Sequence, residues 1–165
     1  MLPRISFRNG FAAGLVLALA LGLYLFFLWQ PRRQVQLHSK HFLRAVEQKS
    51  WSKAGDFLDA QYRDQWEQDR AVVLARLREV ARYLRNFDVQ IEGVPIIRVS
   101  EGQGDWRGRI TVEADENEAS VLVKARINAL ETPFALRWQQ RSRKPWDWKL
   151  VSVTNPDLKL PAGSF

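Results

Sequence analysis

Residues 73–92 read VLARLREVARYLRNFDVQIE, and within them the spacing of apolar side chains changes from helical to extended. Before Asn86 the apolar residues recur every three or four positions, which is the period of a helix. From Phe87 onward they alternate with polar residues, which is the period of a strand with one buried face. The change divides the chain into a helical part followed by a strand-rich part, an order typical of α+β proteins.

The strand-rich part contains several alternating segments separated by turn-forming residues, which together predict an antiparallel sheet with one buried face. Residues 115–118 are predicted to form an acidic hairpin turn within it. The predicted strands are residues 87–100 with an interruption at 93–95, 106–114, 121–128, 134–139 and 146–151. In this register Trp106, Trp138, Trp146 and Trp148 face inward, together with most of the aliphatic residues.

Three amphipathic helices are predicted before the sheet, over residues 35–51, 53–60 and 68–84. On the first of them His38 shares the apolar side with Val35 and Phe42. The sequence has no internal repeat and no second domain boundary, so we predict one α+β domain over residues 35–155, followed by a C-terminal tail over 156–165.

An uncharged run, GFAAGLVLALALGLYLFFLW, extends from Gly10 to Trp29. About 20 helical residues are roughly 30 Å long, which matches the hydrocarbon core of a bilayer. We therefore predict a short basic tail over residues 1–9, a transmembrane helix over 10–30 and a linker over 31–34. Pro31 is expected to stop or kink the span.

A cleaved signal peptide is the alternative interpretation of this run, because Arg4 and Arg8 precede it. The small-residue pattern at Ala18 and Ala20 is the one available cleavage site, and cleavage there would leave a strongly apolar new terminus. We therefore predict an uncleaved, single-pass anchor. The short basic tail favours an extracytoplasmic domain, whereas the Lys and Arg residues just after the run favour the opposite orientation. The absence of cysteine fits either compartment.

The order of elements, the segment WSKAGDF at residues 51–57 and the segment WDWKLVSV at residues 146–153 resemble the nuclear transport factor 2-like fold. The resemblance implies helices packed on a curved antiparallel sheet, with a cone-shaped cavity between them. Proteins of the family that the chain resembles include isomerases, dehydratases, transport adaptors and proteins without known activity. A membrane-anchored member is also similar to inner-membrane assembly proteins of type IV secretion.

The side chains that could line such a cavity are one histidine, one tyrosine and three tryptophans: His38, Tyr62, Trp106, Trp138 and Trp148. His38 could act as a general base, but the inward strand positions supply no carboxylate to pair with it. His38 and His41 lack a third ligand one turn away, so no metal is predicted. The sequence also has no phosphate-binding glycine motif and no nucleophile motif, and we predict no catalytic residue and no cofactor.

The chain has a formal net charge of +7, and the whole excess lies in residues 1–86. No nucleic-acid-binding motif accompanies it, so we predict contact with anionic lipid headgroups or with an acidic protein and no nucleic acid. Period-2 alternation also predicts a basic outer face on the sheet, whose alternative interpretation is a solvated surface. The residues of this predicted basic face are Arg107, Arg109, Lys124, Arg126 and Arg137.

These observations together predict a single-pass membrane protein with a non-catalytic interaction or ligand-binding domain. The alternatives are a membrane-tethered isomerase or dehydratase acting in the cone, and an assembly subunit of the cell envelope or of a secretion system. The ligand, the partner and the oligomeric state do not follow from the sequence.

Overall fold

The computed structural model describes residues 7–115 and 117–159, which form five helices and four strands. In chain order these are α1 (Phe7–Leu28), α2 (Pro31–Glu47), α3 (Trp51–Phe57), α4 (Arg70–Tyr83), β1 (Phe87–Ser100), β2 (Gln103–Ala114), α5 (Glu118–Asn128), β3 (Phe134–Gln140) and β4 (Trp148–Thr154). The helical part therefore precedes most of the sheet, as predicted. Residues 1–6 of the predicted basic tail and 160–165 of the predicted C-terminal tail lie outside the described residues.

Helices α1 and α2 are separated by a short break at Trp29 and Gln30. Pro31 occupies the first turn of α2, where its fixed φ and missing N–H cost little. Residues 31–34, which the sequence predicted as a linker, are therefore part of a helix. The Gln34 Nε2 donates to the Leu28 carbonyl oxygen at 2.7 Å and bridges the break. Within the described residues no helix by itself meets the length and hydropathy expected of a membrane span, whereas Ala13–Leu28 and Pro31–Glu47, bent by 69°, meet them as a pair.

Helix α2 lies on one face of the sheet, which we call the inner face. Its buried positions Val35, Phe42 and Ala45 recur at helical spacing and turn toward β1, β2 and α3. Ser39 lies among them and satisfies its hydroxyl by donating to the Val35 carbonyl oxygen at 2.8 Å. The helix ends four residues earlier than predicted, at Glu47.

The next two helices also begin or end at slightly different residues from those predicted. Helix α3 starts at Trp51 rather than residue 53 and ends at Phe57. Helix α4 starts at Arg70, because the Asp69 side chain caps it by accepting hydrogen bonds from the backbone N–H groups of Ala71 and Val72, both at 2.9 Å.

The four strands form an antiparallel sheet in the order β1-β2-β3-β4. The pairing of β1 with β2 shifts between Glu92 and Ile96, which confirms the interruption predicted at residues 93–95. The outer edge of β4 is covered by the segment after α3, since Asp59 and Arg63 donate their backbone N–H groups to the carbonyl oxygens of Leu150 and Val151. That cover leaves β1 as the other edge strand of the sheet.

The strand predicted over residues 121–128 is wrong, because Glu118–Asn128 forms helix α5. Asn117 caps this helix and forms a capping box with Ser120. The acidic hairpin turn predicted over residues 115–118 is therefore wrong, because the helix begins there. At the other end Asn128 accepts from the Val112 N–H at 2.8 Å and donates to the Val112 carbonyl oxygen at 3.1 Å. The Asn128 amide thus hydrogen-bonds both backbone groups of Val112, which lies beyond the part of β2 that pairs with β3.

Candidate functional site

The inner face of the sheet carries three of the predicted pocket residues, and all three are fully buried. Trp106 lies on β2, Trp138 on β3 and Trp148 on β4, and each exposes 2% or less of its surface. Period-2 alternation on the strands aims the three side chains to the same face, as predicted. They belong to one hydrophobic cluster that also includes Val35 and Phe42 of α2.

Trp138 lies at the centre of an aromatic cluster formed with two helices. The ring centroids of His38, Phe57 and Phe42 lie 5.7, 6.3 and 6.5 Å from that of Trp138, all edge to face. Such geometry is favourable because the positive edge of one ring meets the negative face of another. These rings pack together on the inner face, where the resemblance implies a cone-shaped cavity.

His38 is half-buried, and its Nδ1 lies 2.8 Å from the carbonyl oxygen of Gln34, so this nitrogen carries the proton and donates. Burial lowers the pKa of His38 below its usual value, although backbone hydrogen bonds to Gln34 and Trp146 act in the opposite direction. The imidazole is thus favoured in its neutral form. The Nε1 of Trp138 is buried without a hydrogen-bond partner among the described residues.

Tyr62 lies on the segment between α3 and α4 that covers β4, and it belongs to the same hydrophobic core cluster as Trp138. It is buried, and burial followed by the charge of Asp64 raises the pKa of its hydroxyl above the usual range. Asp64 is itself buried, and its Oδ1 accepts from the backbone N–H groups of Trp66 and Gln68, both at 2.9 Å. These two hydrogen bonds fix the turn that follows Asp64 within the segment.

Two cavities in the described structure lie away from the inner face. One, of about 450 Å³, is lined mainly by residues 47–49 and 85–88, and the other, of about 410 Å³, is lined by residues 126 and 129–131 together with Asp157. None of the five predicted pocket residues lines either cavity. Over residues 7–115 and 117–159, no three His, Asp or Glu side chains converge in a way that could hold a metal ion.

The predicted basic face is only partly assembled. Arg107 and Arg109 lie on β2 and Arg137 on β3, whereas Lys124 and Arg126 lie on α5, because the segment assigned to a strand is helical. Three of the five cations are paired with acids, which the pattern alone did not reveal. The pairs are Arg109 with Glu92 at 2.9 Å, Lys124 with Glu113 at 3.0 Å and Arg137 with Asp105 at 3.4 Å.

Sequence reasoning missed a contact between the end of α1 and the loop between β3 and β4. The indole rings of Trp29 and Trp146 lie 6.1 Å apart, and Trp146 is 53% exposed, so the prediction that it faces inward is wrong. The loop residues RSRKPW at 141–146 combine basic and aromatic side chains, a composition that could have indicated a surface role.

The base of the same loop is fixed by an ion pair that the sequence did not indicate. Arg141 Nε lies 2.5 Å from the Oδ2 of Asp59, a residue with only 6% exposure. Burial alone would raise the pKa of the Asp59 carboxyl, but the hydrogen bonds from Arg141 and the Gln61 N–H outweigh it and hold the pKa below its usual range. Asp59 is therefore charged at neutral pH and holds Arg141 in place.

Comparison with solved structures identifies the fold. The chain is similar to Bd1075 of Bdellovibrio bacteriovorus (TM-score 0.57, 10% identity, 75% of this chain and 39% of that one) and to a nuclear transport factor 2-like protein of unknown function from Pseudomonas putida (0.55, 6%, 74% and 82%). It is also similar to a candidate ketosteroid isomerase from Shewanella frigidimarina (0.54, 10%, 75% and 93%). The chain spans about two fifths of the length of Bd1075.

The chain therefore has a nuclear transport factor 2-like α+β fold, as the resemblance implied. No protein-family model and no curated protein sequence matches it. At these identities the similarity concerns the fold alone, and the function has to be argued from the side chains.

Proposed function

We propose that the chain is a single-pass membrane protein whose α+β domain is a non-catalytic interaction module held beside a lipid surface. The observation that carries the proposal is the surface of α1. Its described large side chains are mostly exposed on every side of the helix, with Leu17 at 70% and Phe26 at 67%. An apolar surface of this extent needs a lipid or protein partner, because water solvates it poorly.

The length and composition of the segment favour lipid as that partner. Helix α1 comprises 22 residues, and at 1.5 Å per residue it is about 33 Å long. The uncharged run begins at Gly10. The part of α1 that meets the expected length and hydropathy together with α2 is Ala13–Leu28, so the run extends three residues further toward the N-terminus. Trp29 and the arginines at positions 32 and 33 then follow in the order expected for a headgroup region.

The non-catalytic part of the proposal rests on the packing of the inner face. A substrate site of this fold would need space beside a titratable group, and the space beside His38 is occupied by Phe57 and Trp138. An isomerase or dehydratase is the alternative function. The observation in its favour is the half-buried His38, whose lowered pKa favours the neutral imidazole, but its ring packs against those of Phe57 and Trp138.

The anchor is tested by placing charges on α1. Each lysine at the centre of a membrane helix costs about 2.5–3.5 kcal/mol, so Leu17→Lys, Leu19→Lys and Leu21→Lys together should prevent insertion. We expect the triple variant to move from the detergent phase to the aqueous phase in a detergent phase separation. The matched control is Val72→Lys, Val80→Lys and Leu122→Lys, which charges exposed apolar side chains of α4 and α5. An α1 variant that partitions like the unaltered protein would show the anchor assignment to be wrong.

For the orientation we propose an extracytoplasmic domain, supported by Arg4 and Arg8 on the N-terminal side of the uncharged run. The chain contains no cysteine, so an exposed residue such as Glu131 can be replaced to give a unique thiol. In intact cells the Glu131→Cys variant should react with a membrane-impermeant maleimide. Reaction only after the cells are opened would show that the domain lies on the cytoplasmic side.

A further inference from the structure

We infer that the loop formed by residues 141–147, between β3 and β4, is a second membrane contact that binds anionic lipid headgroups. This inference rests on the proposed function, because α1 determines where the loop lies. Trp29 follows the last residue of α1 and is 41% exposed, and the ring of Trp146 lies 6.1 Å from it. If α1 spans the bilayer, the two indoles lie at the same depth, where tryptophan is favoured because its ring is apolar and its N–H is polar.

The charges around these two indoles fit an anionic surface. Arg143 and Lys144 are exposed, and neither has a carboxylate within 4.0 Å among the described residues. The same is true of Arg32 and Arg33 in the first turn of α2. The arginines at 109 and 137 on the sheet differ, because each of them is paired with an acid. The unpaired cations next to Trp29 and Trp146 therefore offer the charge complementarity that lipid phosphates need.

The loop is held in one shape by its own hydrogen bonds. Arg141 donates its N–H to the Asp147 carbonyl oxygen at 2.9 Å, and Asp147 donates to the Lys144 carbonyl oxygen at 3.1 Å. The Trp148 Nε1 donates to the Pro145 carbonyl oxygen at 2.9 Å, and the Arg141 guanidinium is bound to Asp59. Trp146 is thus kept outside the core while its neighbour Trp148 fills it, so little ordering entropy remains to be lost when the loop binds a surface.

A labelling experiment on the full-length chain tests this contact. Ser142→Cys places a unique thiol in the loop, and Glu131→Cys places one near the start of β3, at the opposite end of the β3–β4 hairpin. Each variant is labelled with an environment-sensitive fluorophore and reconstituted into phosphatidylcholine vesicles with or without phosphatidylglycerol. We expect brominated lipids to quench the label at 142, more strongly with phosphatidylglycerol present, and to leave the label at 131 unquenched.

Reversing the charges of Arg143 and Lys144 should remove the additional quenching caused by phosphatidylglycerol. In a Ser142→Cys chain that also carries Arg143→Glu and Lys144→Glu, we expect the additional quenching by phosphatidylglycerol vesicles to be lost. Reversing Arg78 and Arg82 on α4 is the matched control and should leave the quenching unchanged, because both are exposed and neither has a carboxylate within 4.0 Å among the described residues. Equal, weak quenching at 142 and 131 in both lipid mixtures would overturn the inference. An alkaline wash of the same vesicles tests the anchor separately. Loss of the protein from the vesicles would contradict insertion of α1, whereas weak quenching of a protein that stays in the vesicles would contradict only the loop contact.

Discussion

The imidazole of His38 meets the indole of Trp138 edge to face, with ring centroids 5.7 Å apart and planes inclined by 69°. The contact joins α2 to β3 across the inner face. Because burial keeps His38 neutral, its protonation should oppose folding rather than support it.

The first prediction concerns the stability of the domain against pH. The unfolded chain binds a proton on His38 below about pH 6.5, whereas the folded domain, with its lowered pKa, does so only at lower pH. The stability contributed by neutral His38 is therefore fully present above that pH and is lost as the pH falls below it. We expect His38→Gln to remove this part of the pH dependence in urea unfolding of the micelle-bound protein. Identical pH profiles for both proteins would contradict the prediction.

The second prediction compares two tryptophans that lie two residues apart. Trp148 is buried and Trp146 is exposed, so truncation should affect only the first of them strongly. We expect Trp148→Ala to lower the free energy of unfolding by about 3–5 kcal/mol. Trp146→Ala should change it by no more than about 0.5 kcal/mol. Equal effects in denaturant titrations would contradict the difference in burial between the two indoles.

The third prediction uses the close packing of Trp106 on Gly108. A Cβ atom at position 108 would lie 2.5 and 2.7 Å from two atoms of the Trp106 ring, which is buried and cannot move away freely. We expect Gly108→Ala to destabilise the domain by about 1–3 kcal/mol, the usual cost of overpacking. Gly22→Ala is the control, because nothing lies within 4 Å of the added methyl group there. An unchanged unfolding midpoint for Gly108→Ala would show that the Trp106 ring does not cover this glycine.

The fourth prediction tests the start of α5. The Asn117 side chain accepts from the Ser120 N–H at 2.9 Å, and Asn117→Ala removes this acceptor. We expect a loss of about 1 kcal/mol of stability and faster hydrogen exchange over residues 118–128. Asn117→Asp keeps an oxygen acceptor and should restore most of the loss. Unchanged exchange in the alanine variant would argue against the helix.

Much of the fold followed from the spacing of apolar residues. The alternation from Phe87 onward predicted β1 and part of β2, and the inward positions of Trp106 and Trp138 followed from it. The error at α5 came from Val121 and Ile127, because β-branched residues at alternate positions are equally typical of a strand. Asn117 is a favoured N-cap residue, but Ser120 stands where the sequence signature of a capping box has Glu or Gln.

The candidate site was less predictable, because its contacts join residues far apart in the chain. His38 and Trp138 could each be assigned to an inward face, but their mutual packing depends on how α2 lies across the sheet. The exposure of Trp146 depends on the loop hydrogen bonds and on the end of α1. Alternation alone assigned it to the core, since local period carries no information about these contacts.

The central claim is that α1 holds the domain in a lipid bilayer, and alkaline extraction of membranes containing the full-length chain tests it most directly. High pH opens vesicles and releases proteins held only by charge or by other proteins, whereas an inserted helix of uncharged residues stays with the lipid. We expect the protein to remain in the membrane pellet after the wash and to leave it only with detergent. Recovery of the full-length protein in the alkaline supernatant would contradict the account.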